Sequence, residues 1–323
     1  MRQRTPSSKL RLRTRAPALL VALTLVLVAC SPDDPETSTT GLDVVVTTSI
    51  LGDLIRNIAG EDVTVEVLVP IGADPHDYQA SSQQIASIQS ADLVVANGLF
   101  LEEGLIDVLE NARADGANVL EIAPLLDPVA FGDRDRCDPT AGLAICDPHV
   151  WLDPARMADA AALIAVRLAE LNQSIDWSAR AEEYGDELWA ADEQIATLLE
   201  SVPSDNRTVV TNHDAFGFFA DRYGLYVVAT VFPSGSTFAD PSSEWLATLV
   251  RVIDEERVGA ILTETTLPTV FAEAVAAETS DDVEVVELFI GSLGEPGSGA
   301  DTLIGMLLTN AERIASALGP VPS

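Results

Sequence analysis

The chain of 323 residues contains only three histidines, and two of them lie in the same tripeptide, Asp-Pro-His. His76 belongs to Gly-Ala-Asp-Pro-His-Asp-Tyr, His149 belongs to Cys-Asp-Pro-His-Val-Trp-Leu-Asp-Pro, and His213 follows Thr-Asn. Proline fixes its own φ and biases the preceding residue toward extended geometry, so both tripeptides predict rigid loops. Three neutral imidazoles bind Zn²⁺ and leave one coordination position open. One histidine alone is more often structural, but the repeated tripeptide favours a three-histidine metal site.

The elements that carry these histidines alternate between short β-rich runs and longer amphipathic segments. The runs predict strands at 43–48, 63–69, 92–96, 118–122, 208–211, 226–231, 259–263 and 284–288. The segments predict helices near 50–59, 81–90, 101–114, 154–172, 214–223, 241–256, 268–279 and 301–317. Such alternation implies parallel sheets covered by helices on both faces, with ligands beyond the carboxyl ends of the strands.

One long segment, 178–202, interrupts this alternation. Its apolar residues follow the helical period, and Pro203 ends it. We therefore expect an α/β protein of two (β/α)4-type lobes with parallel sheets, joined by one rigid helix. The predicted boundaries are an amino-terminal lobe, the linking helix and a carboxyl-terminal lobe at 42–177, 178–202 and 203–323.

The first 29 residues predict an export signal. They carry six basic residues and no acid, followed by an apolar run that ends in Leu-Val-Ala and Cys30. About twenty apolar residues are needed to cross a bilayer, so this run is short for a permanent span. The end of the run resembles the bacterial lipobox, which implies a lipid-modified Cys30. The alternative is an ordinary signal peptide with an incidental cysteine. Residues 30–41 predict a flexible tether.

Removal of the leader leaves 12 basic residues, all arginine, against 51 acidic residues, a formal charge of −39. This charge disfavours nucleic acid or an anionic lipid surface as a partner. Solubility, in a salty medium for example, explains it more simply than a specific function does.

Two cysteines, Cys137 and Cys146, remain after Cys30. Disulfides persist outside the cytoplasm, so export favours a disulfide between them. Two free thiols or two soft metal ligands are the alternatives.

Four motifs together carry a resemblance to a known family. They occupy residues 72–78, 147–154, 212–224 and 291–306, and the last reads Gly-Ser-Leu-Gly-Glu-Pro-Gly-Ser-Gly-Ala-Asp-Thr-Leu-Ile-Gly-Met. From about residue 42 to 319 the chain resembles the metal-binding solute-binding lipoproteins of bacterial ABC importers for zinc and manganese, the ZnuA-like and adhesin-type group.

The resemblance implies one metal ion in the cleft between the lobes, with His76 and His149 from the first lobe and His213 from the second. It also implies delivery of the ion to a membrane permease driven by a cytoplasmic ATPase, and no catalytic residues. The protein would be anchored through Cys30 to the outer face of the bacterial cell membrane. We expect a monomer.

The sequence departs from the family at Gly291, where many members place an aspartate ligand. Glu264, after the strand at 259–263, is the nearest candidate to replace it. A supporting acid at Glu264, or a water in the fourth position, are the alternatives. Three imidazoles with one further ligand suit Zn²⁺, whereas a carboxylate-rich set suits Mn²⁺, so we expect zinc in preference to manganese.

Two other functions are compatible with three histidines. One is a zinc metalloenzyme with a metal-bound hydroxide; the other is a lipid-anchored adhesin with a structural metal. The sequence lacks an His-Glu-x-x-His helix and any acid at a fixed spacing from a histidine pair, which disfavours the enzyme.

Overall fold

The computed structural model describes residues 41–132, 135–140, 146–233, 237 and 240–319. Within these residues the strands form two sheets of four parallel strands each. The first sheet has the order β2-β1-β3-β4, with β1 Leu42–Val46, β2 Val63–Val67, β3 Leu93–Ala96 and β4 Val119–Glu121. The second has the order β6-β5-β7-β8, with β5 Thr208–Thr211, β6 Tyr226–Thr230, β7 Ala260–Glu264 and β8 Glu284–Leu288. We call the regions around these sheets the first and second lobes.

The helices cover the faces of the sheets. They are α1 Ser49–Ala59, α2 Ser82–Ser90, α3 Ile106–Ala114, α4 Pro154–Leu171, α5 Trp177–Glu200, α6 Gly217–Tyr223, α7 Ser243–Glu256, α8 Val270–Ala276 and α9 Leu303–Leu318. Several helices begin at a capping residue: the side chains of Thr48, Asp153 and Asp176 accept backbone N–H groups in the first turns of α1, α4 and α5. The α/β class and the two parallel sheets are therefore confirmed.

The 24-residue helix α5 lies between the two sheets in the sequence. Its apolar face is buried against α4 and α9, and residues of both lobes contribute to the same hydrophobic core. Tyr184, Leu188 and Ile195, which carried the predicted helical period, are all buried there. From Gly41 onward the chain forms one compact unit. The three predicted domain boundaries stay predictions.

The largest local difference from the predicted elements lies before α3. The sequence predicts a helix from residue 101, but the helix begins at Ile106 after a short 3₁₀ turn at Glu103–Leu105. Leu99 and Phe100 have φ values of 53° and 66°, in the left-handed region, so the α-helix does not extend back to them. This turn lies against the loop of His76, because the Gly104 backbone N–H donates to the His76 carbonyl at 3.2 Å.

The structure contains the predicted disulfide between Cys137 and Cys146, with Cα atoms 5.6 Å apart. It ties a short antiparallel pairing in which Ala130 lies opposite Cys146. Among the residues that the structure describes, no helix has both the length and the apolar character to cross a membrane. The leader, Cys30 and the tether lie outside the described residues.

Candidate metal centre

The three histidines converge at one point between the two sheets. Their ring centroids lie 5.6 Å apart for His76 and His149, 5.5 Å for His76 and His213, and 5.1 Å for His149 and His213. One ring nitrogen of each lies within 4.8 Å of the others. All three side chains are 1–3% exposed. The structure thus brings together residues that are separated by 73 and 64 positions in the sequence.

His76 and His149 are held by the same local device. In each Asp-Pro-His tripeptide, the aspartate Oδ1 accepts the histidine backbone N–H, at 2.9 Å for Asp74 and 3.0 Å for Asp147. Proline between them keeps this turn rigid, as the sequence predicts. The repeated tripeptide is therefore a repeated turn that projects an imidazole.

His213 lies two residues after the end of β5, at the carboxyl end of the second sheet. The Thr211 hydroxyl donates to the His213 backbone carbonyl at 2.9 Å, which holds the chain as it leaves the strand. Glu264, the last residue of the neighbouring strand β7, points its Oε1 to 2.7 Å from His213 Nδ1. Since β5 and β7 are parallel partners, their ends meet at this edge of the sheet.

Each imidazole turns its Nδ1 toward a carboxylate. The distances are 2.8 Å from His149 to Asp147, 2.7 Å from His213 to Glu264 and 3.5 Å from His76 to Glu103. Only the His149 contact is a hydrogen bond; among the described residues, His76 Nδ1 and His213 Nδ1 lie near their acids without one. A carboxylate in this position orients the ring of a metal-binding histidine and favours Nε2 as the ligand atom. The three predicted histidines therefore have three supporting acids.

The Nε2 atoms of His149 and His213 lie only 3.2 Å apart. When both Nδ1 atoms carry their protons toward the carboxylates, each Nε2 presents a lone pair to the other, and a cation or a proton between them relieves the repulsion. Two nitrogens bound tetrahedrally to one Zn²⁺ at roughly 2.0–2.1 Å would be about 3.3–3.4 Å apart. Within the described part of the chain, His76 Nε2 is buried without a hydrogen-bond partner, so it can also bind a metal.

The electrostatics of the site favour a positive charge. Burial by itself opposes protonation of His213, but the Glu264 carboxylate outweighs it, and the pKa of His213 lies above its usual value. Burial would raise the pKa of Glu264, yet His213 and the Thr266 hydroxyl hold it below its usual value. Asp74 and Asp147 add to the negative potential around His213. A divalent cation is the ligand that this potential attracts.

Gly291 lies against the first lobe, where there is little room for a side chain. A Cβ at this position would lie 3.1 Å from Pro75 Cδ, 3.4 Å from Thr266 Oγ1 and 3.5 Å from Glu264 Oε2. Pro75 directly precedes His76, so a larger residue at 291 would push on a loop that carries a candidate ligand. Glu264, the tentative fourth ligand, lies outside the group of three converging histidines; its Oε1 is 2.7 Å from His213 Nδ1, and its Oε2 accepts the Thr266 hydroxyl at 2.8 Å.

Contacts between the lobes close the site. The Ser292 hydroxyl accepts the Gly72 backbone N–H at 2.9 Å, and Trp151 Nε1 donates to the Ile290 carbonyl at 2.8 Å. The Trp151 ring also packs edge-on against His149, with centroids 5.2 Å apart. These contacts join the two lobes beside the buried histidines.

Sequence reasoning missed two of the three supporting acids. Asp147 had a signal, since it repeats the aspartate of the first tripeptide. Glu103 had none, because it lies 27 residues after His76 and reaches it only through the packing of the loop after β3.

Residues 44–317 match the family model described as zinc-uptake complex component A, periplasmic. The manganese-binding lipoprotein MntA of Halalkalibacterium halodurans is 30% identical over 304 residues, which is 93% of this chain and 97% of that protein. The zinc-binding protein TroA of Treponema pallidum is 28% identical over 283 residues, or 85% and 88% of the two chains.

The solved structure of the periplasmic zinc-binding protein TroA from Treponema pallidum superposes with a TM-score of 0.77 at 28% identity. The match covers 86% of this chain and 99% of that structure. The relatives thus include proteins named for zinc and for manganese, and the family description agrees with the extracytoplasmic location predicted from the leader.

Proposed function

Because the chain belongs to the family of periplasmic zinc-uptake complex component A proteins, we propose that it captures Zn²⁺, in preference to Mn²⁺, between its two lobes and delivers the ion to a membrane permease. The chain is the extracytoplasmic metal-binding component of an ABC metal importer, a carrier and not an enzyme. The metalloenzyme hypothesis is therefore dropped. The metal is the cargo, and His76, His149 and His213 are its proposed ligands.

The observation that carries this proposal is the pair of Nε2 atoms, from His149 and His213, that face each other across 3.2 Å. Acids behind both rings direct the lone pairs inward, so an ion between them replaces a repulsive contact with two metal–nitrogen bonds. His76 Nε2 supplies a third nitrogen. Three imidazoles in a buried site suit Zn²⁺ with one further ligand.

We favour zinc over manganese because the site offers few carboxylate oxygens to bind the ion directly. Mn²⁺ favours carboxylate oxygen, while imidazole suits Zn²⁺. Gly291 offers no side chain, and the crowding by Pro75 explains why none fits without movement. We propose that Glu264, the tentative fourth ligand, instead supports His213, because its Oε1 forms an ion-pair contact with His213 Nδ1 at 2.7 Å and its Oε2 accepts the Thr266 hydroxyl at 2.8 Å.

Delivery requires a partner in the membrane. We propose a permease with its cytoplasmic ATPase, and anchoring of this protein beside them through lipidated Cys30 at the outer face of the cell membrane. Curated relatives are named lipoproteins and ABC transporter substrate-binding components, which supports this arrangement. A monomer and no nucleic-acid partner remain predictions.

The test is a metal competition on residues 31–323, stripped with a chelator and offered Zn²⁺ and Mn²⁺ together. Native mass spectrometry counts the bound ions. One Zn²⁺ per chain that Mn²⁺ does not displace is the expected result. Comparable Mn²⁺ occupancy would overturn the choice of zinc, and no bound metal would overturn the three-histidine site.

Three single variants, His76→Ala, His149→Ala and His213→Ala, test the ligands one by one. Each should weaken Zn²⁺ binding strongly while the far-ultraviolet circular dichroism is unchanged. A variant that binds like the wild type identifies a histidine that is not a ligand. The stripped wild type should also remain folded, because a carrier must release its metal; unfolding on chelation would instead favour an adhesin with a structural metal.

A further inference from the structure

Glu102 is a buried acid beside the metal centre that the proposed site does not use. It is 2% exposed, and its carboxylate accepts three hydrogen bonds. Oε1 accepts the Thr47 hydroxyl at 2.6 Å and the Asn97 backbone N–H at 2.7 Å, and Oε2 accepts the Gly98 backbone N–H at 3.0 Å. Burial raises the pKa of Glu102, while the three donors favour the ionised form. Because burial of an ionisable carboxyl group costs free energy, its presence in the core of the first lobe indicates a specific role.

Through the Asn97 and Gly98 N–H groups, the Glu102 carboxylate holds a backbone turn of high conformational energy. After β3, Gly98, Leu99 and Phe100 have φ values of 83°, 53° and 66°. Residues with a Cβ rarely adopt this left-handed region, and two in succession persist only where surrounding contacts enforce them. Glu102 closes the turn by reaching back to the N–H groups at its start. The carboxylate therefore offsets part of the conformational cost of the turn.

The turn braces the loop that carries His149. The Asn97 side-chain Nδ2 donates to the Pro148 carbonyl at 2.9 Å, and Pro148 directly precedes His149. Asn97 is the residue whose backbone N–H Glu102 holds. One hydrogen-bonded path thus runs from Glu102 through Asn97 to the second Asp-Pro-His tripeptide, and the side chains of Glu102, Asn97 and His149 are all buried.

The same turn also braces the loop that carries His76. The next residue, Glu103, places Oε1 3.5 Å from His76 Nδ1, and the Gly104 backbone N–H donates to the His76 carbonyl at 3.2 Å. A Cβ on Gly104 would collide with the carbonyl of Tyr78, so the two segments are packed backbone to backbone. A shift of the turn would therefore displace both histidines of the first lobe.

We propose that Glu102 is a positioning residue for metal binding: its carboxylate holds the Gly98–Phe100 turn, which fixes His149 through Asn97 and His76 through Glu103 and Gly104. The inference rests on the proposed function, since it concerns the geometry of the same three histidines. Glu102 itself does not contact the metal. It influences the positions of His76 and His149 through the residues that lie between it and them.

The test replaces Glu102 with glutamine, which has nearly the same shape. In one orientation the new amide nitrogen faces the Gly98 N–H, and in the other it faces the Asn97 N–H and the Thr47 hydroxyl, so at least one donor loses its acceptor. We expect Glu102→Gln to weaken Zn²⁺ affinity about tenfold, at the low end of effects seen for outer residues of metal sites. The visible absorption bands of bound Co²⁺ should shift or broaden, because they report the geometry of the ligands.

Asp53→Asn is the matched control. Asp53 is a partly buried acid in the same lobe whose pKa burial also raises, and its Oδ2 accepts the Leu303 backbone N–H at 2.8 Å. None of its hydrogen bonds that the structure describes reaches a histidine-bearing loop. Both variants should lose stability in urea, but only Glu102→Gln should change the Zn²⁺ affinity and the Co²⁺ spectrum.

A rescue variant separates positioning from general loss of stability. Phe100 is 38% exposed, so Phe100→Gly removes a left-handed penalty with little loss of packing. Added to Glu102→Gln, it should restore part of the lost affinity. If Glu102→Gln does not fold, Asn97→Ala, which removes the side-chain donor to the Pro148 and Gly98 carbonyls and keeps the Asn97 backbone N–H, should lower the affinity by a similar factor.

Three results would overturn the inference while wild-type Zn²⁺ binding stands: an unchanged affinity and Co²⁺ spectrum in Glu102→Gln, an equal loss in Asp53→Asn, or an unchanged affinity in Asn97→Ala. Failure of the wild type to bind Zn²⁺ would instead overturn the proposed function. The two failures are thus distinguishable in one series of titrations.

Discussion

Asp147 and Asp74 allow the support of one imidazole to be tested against a matched control in the same chain. Both begin an Asp-Pro-His tripeptide, and both accept the histidine backbone N–H through Oδ1. Only Asp147 also contacts the ring, with Oδ1 2.8 Å from His149 Nδ1. The same substitution, aspartate to asparagine, therefore removes the charge behind one ring and leaves the other ring's partner, Glu103, in place.

Asp147→Asn should weaken Zn²⁺ binding about 10- to 100-fold, which corresponds to about 1.4–2.7 kcal/mol. The amide oxygen of the introduced asparagine can still accept both N–H groups, so the turn and the tautomer survive. What is lost is a fully buried negative charge next to the ligand, which makes the imidazole a weaker donor. Asp74→Asn should change the affinity by only a few-fold, because Asp74 contacts the backbone of His76 and the Thr237 hydroxyl instead of a ring.

The assay is competition with a chromophoric Zn²⁺ chelator at fixed pH, with urea unfolding of the metal-free forms as the stability control. An effect of Asp74→Asn as large as that of Asp147→Asn would refute the reasoning, because it would mean that the turn, and not the ring contact, sets the affinity. So would an Asp147→Asn variant that binds Zn²⁺ like the wild type.

Three further predictions follow from the site. Glu264 raises the pKa of His213 in spite of burial, so protons should compete with Zn²⁺ for His213 at a pH above the usual histidine pKa. Zn²⁺ affinity measured against pH should therefore fall as the pH drops through that value. Glu264→Gln should move this fall to lower pH, because it removes the charge that raises the pKa. Gly291→Asp should lower the preference for Zn²⁺ over Mn²⁺ in the mass-spectrometric competition, since it adds a carboxylate beside Glu264 and beside Pro75, which precedes His76. An unchanged ratio would show that residue 291 does not reach the ion. The double variant Cys137→Ser, Cys146→Ser should lower the free energy of unfolding in urea by up to about 2.7 kcal/mol, because the unfolded chain regains loop entropy. It should also bind Zn²⁺ more weakly, because Asp147 directly follows Cys146. An unaltered affinity would show that the disulfide does not influence the metal site.

Most of the fold could be predicted from local patterns. The valine-rich runs of β1 and β3 are buried on both faces, so their hydrophobicity alone indicates central parallel strands. The period of apolar residues in α5 predicts the linking helix to within two residues of its observed ends, Trp177 and Glu200. The start of α3 could not be found in this way, because the left-handed turn before it depends on a carboxylate that reaches back from Glu102.

The sequence by itself determined which residues could bind a metal, because histidine is rare here and the Asp-Pro-His turn is a local structure. Only the tertiary structure decided how they act together. Glu103 meets His76 across 27 residues and Glu264 meets His213 across 51, through neighbouring strands and packed loops that no local pattern encodes. The contact of Glu264 with His213 depends on the pairing of β5 with β7 within the second lobe, and the lack of room at Gly291 depends on the approach of Pro75 from the first lobe.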